Sequence, residues 1–122
     1  MSHIRREPIS AAEVNAEIWF LIQRCNKLLT EYHGAGEKRL TAKDMLDDKF
    51  ARELLTAPEG TVQEKKANAD KKCRSESLEF LKADTRFKYL KLAIDTTRDE
   101  LVALESIGSN LRQQNDLDKY RT

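Results

Sequence analysis

The chain is poor in the residues that punctuate a fold. Four glycines and two prolines in 122 residues leave little room for a turn-rich sheet, and with 35% charged and 39% hydrophobic residues the composition is that of long amphipathic helices. An all-α chain of this length forms one domain, 1–122, with a modest core. Two cysteines and two histidines give no C-x-x-C pair, and His3 and His33 fall in a lead-in and a turn, so zinc ligation at the usual spacings is unsupported. Gly-rich phosphate loops, G-x-S-x-G and H-E-x-x-H are absent. Asp47 and Asp48 are adjacent on a helix and point to different faces. An enzyme is not expected, and neither a metal nor a cofactor is called for.

Long apolar runs are missing as well. Ile18 to Ile22 is much too short to span a bilayer, and Met1 to Pro8 carries charge without the apolar core of a signal peptide. Cys25 and Cys73 both fall on apolar seams, where reduced cysteine acts as a small hydrophobe; that pattern points to a cytoplasmic setting, a disulfide being the alternative. A net charge of +1 argues against a uniformly basic nucleic-acid binder. The average hides an asymmetry, however. Nine Lys or Arg face four acids between Lys65 and Lys91, whereas six acids face Arg98 and Arg112 between Asp95 and Asp118. This polarity suits a polyanion at one end or head-to-tail packing of copies.

What the chain does have is heptad periodicity. Ala83, Phe87, Leu90, Ile94, Thr97, Leu101, Leu104, Gly108 and Leu111 recur at steps of four and three, and the same frame extends back through Phe80, Cys73 and Ala69, interrupted at Glu76. A helix from Thr61 to about Asn115 would be roughly 80 Å long at about 1.5 Å per residue. A second seam, Val14, Ile18, Leu21, Cys25, Leu28 and Tyr32, follows a capping box of Ser10 with Glu13. Gly34 and Gly36 are expected to end that helix and reverse the chain. A second helix is expected over 37–56, burying Ala42, Met45, Leu46, Phe50, Ala51, Leu54 and Leu55. Pro58 and Gly60 break it, and Thr61 with Glu64 forms another capping box that launches a third helix over 61–115. Residues 1–9 read as a flexible lead-in, 10–33 as the first helix and 116–122 as a frayed tail. The expected fold is therefore an elongated, hairpin-like, three-helix coiled coil with one very long C-terminal helix, in an oligomer, with the seam of Phe87, Leu90, Ile94, Leu101, Leu104, Gly108 and Leu111 covered partly by the chain's own other helices and partly by sister copies. At Gly108 two readings stand: a kink or end of the helix, or close approach of a neighbouring helix.

The basic half of the third helix is the main binding candidate. Lys65, Lys72 and Arg86 lie seven or fourteen residues apart on one flank of the seam, and Tyr89 stands among Lys82, Arg86 and Lys88. An aromatic among cations can stack a base while its neighbours neutralise phosphates. The alternative is that these charges pair with the next helix and set its register.

Leu81, Lys82, Asp84 and Thr85 followed by Tyr89, then an amphipathic stretch ending in Leu104, Ser106, Ile107 and Gly108, resemble the C-terminal half of UvsY, the recombination mediator of large tailed phages. Phe50 to Ala67, with Ala51, Leu54, Leu55, Pro58, Glu59, Gly60, Thr61 and Lys66, is similar to a pattern in small helical phage proteins. The resemblance implies a non-catalytic mediator in the cytoplasm of a bacterial host. It would bind single-stranded DNA as a homo-oligomer and help a recombinase replace single-strand-binding protein. Basic residues late in the family's middle helix match Lys49 and Arg52. The DNA-binding candidates are thus Lys49, Arg52, Lys65, Lys66, Lys72 and Arg86. The second expectation is a structural or protein-binding coiled-coil adaptor that uses the same seam without nucleic acid.

Overall fold

A computed structural model describes residues 10–119 of the chain. The lead-in over 1–9, with His3, and the last three residues of the expected tail lie outside the described residues. Three helices account for nearly all of the rest, and there is no strand among the described residues: α1 is Ala11–Leu55, α2 is Val62–Lys72 and α3 is Arg74–Lys119. Both expected N-termini are present. The Glu13 N–H donates to Ser10 Oγ at 3.2 Å, and Thr61 and Glu64 form a reciprocal capping box at the start of α2. α1 ends where Thr56 donates both its N–H and its hydroxyl to the Arg52 carbonyl, just before Pro58 removes any further helical donor.

Three boundaries differ from expectation. The first is at Gly34 and Gly36, where α1 continues without a turn and no glycine has positive φ. Glycine costs helix stability but does not forbid it. At Gly36 a Cβ would sit 3.4 Å from the Phe87 ring, an ordinary contact distance that an alanine could also make. The expected reversal at residues 34–36, and with it a separate helix over 37–56, is thereby corrected. The second difference is at Cys73, whose φ of −96° and ψ of 11° separate α2 from α3. This is a one-residue departure into the bridge region. The i→i−4 bonds still reach across it, from Cys73 N–H to Ala69 and from Ser77 N–H to Cys73. No glycine or proline lies between Thr61 and Ile107, so the sequence carries no mark of this break, and the single helix expected over 61–115 is two. Third, α3 stays helical through 116–119, which were read as frayed.

The chain forms two compact units, one of Met1–Leu29 with Leu92–Thr122 and one of Thr30–Lys91. The first unit is a hairpin of the N-terminal part of α1 and the C-terminal part of α3. Its core is Val14, Leu21 and Leu104, with Ile18, Leu101 and Leu111 packed against it. Gly108 belongs here: α3 runs through it, and a Cβ would meet Val14 Cγ1 at 3.2 Å, so the glycine marks a close helix approach. Thr97 is buried on the same seam because its hydroxyl donates to the Ala93 carbonyl at 2.8 Å, which satisfies it within its own helix.

In the second unit the rest of α1 runs antiparallel to α2 and the start of α3. Gly36 meets Phe87, Arg39 meets Asp84, Lys49 meets Glu76 and Glu53 meets Lys72, the numbers rising on one helix as they fall on the other. Ala35, Ala69, Cys73 and Leu90 are buried between them. Met45, Ala51 and Leu55, expected on the buried side, are exposed. They sit off the line that faces α2 and α3, which passes through Ala42, Leu46 and Lys49 instead.

Gly34 provides a direct test of continuity. A Cβ there would find nothing within 4 Å, so Gly34→Ala is expected to raise stability by about 0.5–1 kcal/mol through backbone entropy alone. A turn with positive φ would give the opposite sign, and a urea titration followed by circular dichroism reads the difference.

Candidate interaction surfaces and the fate of the cations

The contact line of α1 is a heptad seam carried past its apolar start. From Tyr32 it continues at steps of three and four through Ala35, Arg39, Ala42, Leu46, Lys49 and Glu53, none of them fully exposed. The polar members are matched across the hairpin. Arg39 Nε donates to Asp84 Oδ1 at 2.7 Å and its guanidinium lies 5.5 Å from both the Phe80 and Phe87 ring centres. Phe87 also stacks on Tyr32 at 4.6 Å. Lys49 Nζ donates to Glu76 Oε1 at 2.8 Å, while Glu76 Oε2 is buried without a protein partner. Glu76, the interruption in the sequence pattern, is therefore a seam residue whose charge is answered from α1.

These pairs shift titration in consistent directions. The hydrogen bond from Lys49 holds Glu76 below the ordinary carboxylate value, and the same bond raises Lys49. Lys88 first and Arg39 second lower Asp84. Burial pushes the Cys73 thiol up, partly offset by Lys49; Cys73 and Cys25 are both buried and free. Because the folded-state values of Glu76 and Asp84 are depressed, their contribution is complete above the ordinary carboxylate range and is lost as pH falls through the lowered values. The melting temperature should fall as pH drops below that range. The double change Glu76→Gln with Asp84→Asn should lower stability near neutral pH and flatten that slope, as read by thermal melts across an acid pH series.

The six DNA-binding candidates are spread over all three helices. Lys49 is engaged with Glu76. Lys72 and Arg86, themselves exposed, form longer pairs, 3.3 Å to the half-buried Glu53 and 3.6 Å to the exposed Glu31. Lys65 is half-buried, and Arg52 and Lys66 are exposed on separate helices. Of three grooves in this unit, one of about 1110 Å³ and one of about 620 Å³ include Arg86, and a third holds Lys72; none is lined by two of the six. The largest has a floor of small residues such as Gly34, Ala35, Ala42 and Ala83 and walls that carry both signs of charge.

The seam candidates lie within the chain's own helical hairpins. Leu90, Ile94, Leu104 and Gly108 are buried, and Phe87, Leu101 and Leu111 half-buried, against α1 of the same chain. The surfaces left open lie elsewhere. No family model, curated protein or solved structure matches the chain.

On α3, Leu78, Leu81 and Tyr89 are exposed, each nine residues from a seam member, Phe87, Leu90 and Phe80 in turn. Nine residues are two and a half helical turns, so the two sets point opposite ways. In the other unit Trp19 is 62% exposed, with Phe20 beside it. Leu78, Leu81, Thr85 and Tyr89 recur at steps of three and four, a weaker stripe than the seam, and of the exposed apolar residues on it Leu78 alone carries no other mark in the sequence. Among the described residues no group of three or more His, Cys, Asp or Glu is placed to hold a metal ion, and no helix is long and apolar enough to cross a membrane.

Proposed function

We propose that this chain is a non-catalytic assembly or adaptor protein, working as a homo-oligomer through helix-to-helix docking. The observation that carries this reading is where the apolar side chains go. The strong seams are used up inside the hairpins, yet large side chains remain outside on each unit, Trp19 and Phe20 on one and Leu81 and Tyr89 on the other, and exposed apolar groups in clusters are characteristic of interaction sites. The best-placed cations fit the same picture. Arg39 and Lys49 hold the hairpin in register, as charged members of a helical seam commonly do. Light scattering at about 100 μM chain, a concentration that populates interfaces of micromolar strength, is expected to give a mass well above the 14.1 kDa of one copy. A single-copy mass at that concentration would reject the reading.

One observation favours a second reading, that of a single-stranded DNA binder of the recombination-mediator kind. The Arg86 guanidinium lies 5.7 Å from the Tyr89 ring centre, beside a shallow recess lined by Leu81, Lys82 and Thr85. An aromatic flanked by cations can stack a base. Binding of labelled oligo-dT that weakens steeply with salt and is lost in Arg86→Ala with Tyr89→Ala would favour this second reading. No binding at low salt would remove it.

A further inference from the structure

We infer that α2 is a strap that lifts off α1 on its own, pivoting at Cys73, while α3 stays docked. The motion lies within the Thr30–Lys91 unit and needs no partner, so it stands apart from the assembly reading above.

The grip on the two sides of Cys73 is unequal. Just past it, α3 is held to α1 by Glu76, which accepts from Lys49 at 2.8 Å, and then by Asp84, which accepts from Arg39 at 2.7 Å. Phe80 and Phe87 lie about that same guanidinium, and Leu90 is buried. α2 has far less to hold it. Ala69 is the one buried residue in its 11, and an alanine offers little apolar surface to bury. Val62, the bulkiest apolar side chain of α2, is 68% exposed, and Leu55, the last residue of α1, is 86% exposed, so neither closes the tip of the hairpin. Lys72 reaches Glu53 at 3.3 Å with its own side chain 59% exposed, a weak kind of pair. A recess of about 420 Å³ opens here, bounded by Glu53 and Ala57 on one side and by Asn68, Ala69 and Lys72 on the other.

Both ends of α2 can act as pivots. At Cys73 the backbone leaves helical geometry for one residue, and the bonds that span the junction, Cys73 N–H to Ala69 and Ser77 N–H to Cys73, are made by Cys73 itself. At the other end, residues 56–61 lie outside any helix and include Pro58 and Gly60. A helix of 11 residues is marginal by itself in water, so α2 stays in place only through what it grips. Segments with few buried apolar contacts open well below the cost of global unfolding. Lifting α2 uncovers Cys73, which is 1% exposed when docked, and frees Lys72 from Glu53. The Lys49–Glu76 bond marks where the opening stops.

Pulsed alkylation of the folded protein, with the two cysteines read separately by peptide mass, tests this. Buried thiols stay inert until exposed. With the urea-unfolded chain as the reference rate, Cys73 should label at least about tenfold faster than global unfolding allows. Its rate should barely change with urea below the unfolding transition, because lifting one short helix exposes little surface. Phe87→Leu, a mild change at the far end of the same unit, should leave the Cys73 rate as it is. Amide exchange should show α2 opening at the level of the thiol, with Phe80–Leu90 still protected. A Cys73 rate that climbs with urea as steeply as the global transition, or that rises in Phe87→Leu by the factor its stability falls, would overturn the inference, because the thiol would then be reached only when the whole unit unfolds. Exchange of Phe80–Leu90 together with α2 would also overturn it, by removing the pivot from Cys73.

Discussion

Leu21→Ala is expected to lower stability by about 2–5 kcal/mol, the range for a buried leucine cut to alanine. Leu21 is 1% exposed and shares the core of its unit with Val14 and Leu104. That core is small, and a two-helix hairpin has few other side chains that can move in to fill the gap. The loss should therefore fall in the upper part of the range. The variant's urea midpoint, followed by circular dichroism, is the measurement. A change under about 1 kcal/mol, typical of a surface site, would mean that the core lies elsewhere. Leu21→Met, which keeps the volume, should cost less than about 1.5 kcal/mol.

Phe87→Ala is expected to cost about 2–3 kcal/mol, somewhat below the range for a fully buried phenylalanine. The ring is only half-buried, but three groups depend on it. It stacks on Tyr32, lies within reach of the Arg39 guanidinium, and faces Gly36, where a Cβ would sit 3.4 Å from the ring. Removing it leaves Arg39 with Asp84 and Phe80 and opens a space over Gly36 that no neighbouring side chain occupies. A companion change tests that geometry from the other side: Gly36→Leu pushes a bulky chain toward the ring and should also destabilise, whereas Gly34→Leu, over open space, should not. Equal effects at the two glycines would contradict the packing.

Much of this arrangement was legible because periodicity reports which side chains share a face. Every member of the seam read from Ala83 to Leu111 is buried or half-buried, and so are Val14, Ile18, Leu21, Cys25, Leu28 and Tyr32. The capping boxes were visible for a local reason, since side chain and backbone partner lie three residues apart. What was hidden depended on distant partners. Arg39, Lys49 and Glu53 occupy seam positions, but a charge on a seam looks like its end until Asp84, Glu76 and Lys72 are brought opposite. With the seam apparently stopping at Tyr32, the glycines two and four residues later looked like a terminus. The same dependence explains the DNA-binding candidates: Lys49 reads as a free cation in sequence and is committed to Glu76 in the fold. The irregularity at Cys73 had no local signal at all.

The aromatic content of the chain has a practical consequence. Trp19 is the sole tryptophan, and its exposed position places the only indole on the outer surface of one hairpin. Intrinsic fluorescence thus watches a single patch, with no label and no competing emitter of its kind. Emission typical of a water-bathed indole in dilute protein, moving to shorter wavelength as concentration rises, would show that a neighbour has covered this spot. An unchanged spectrum during association would send the search for the contact to surfaces away from it.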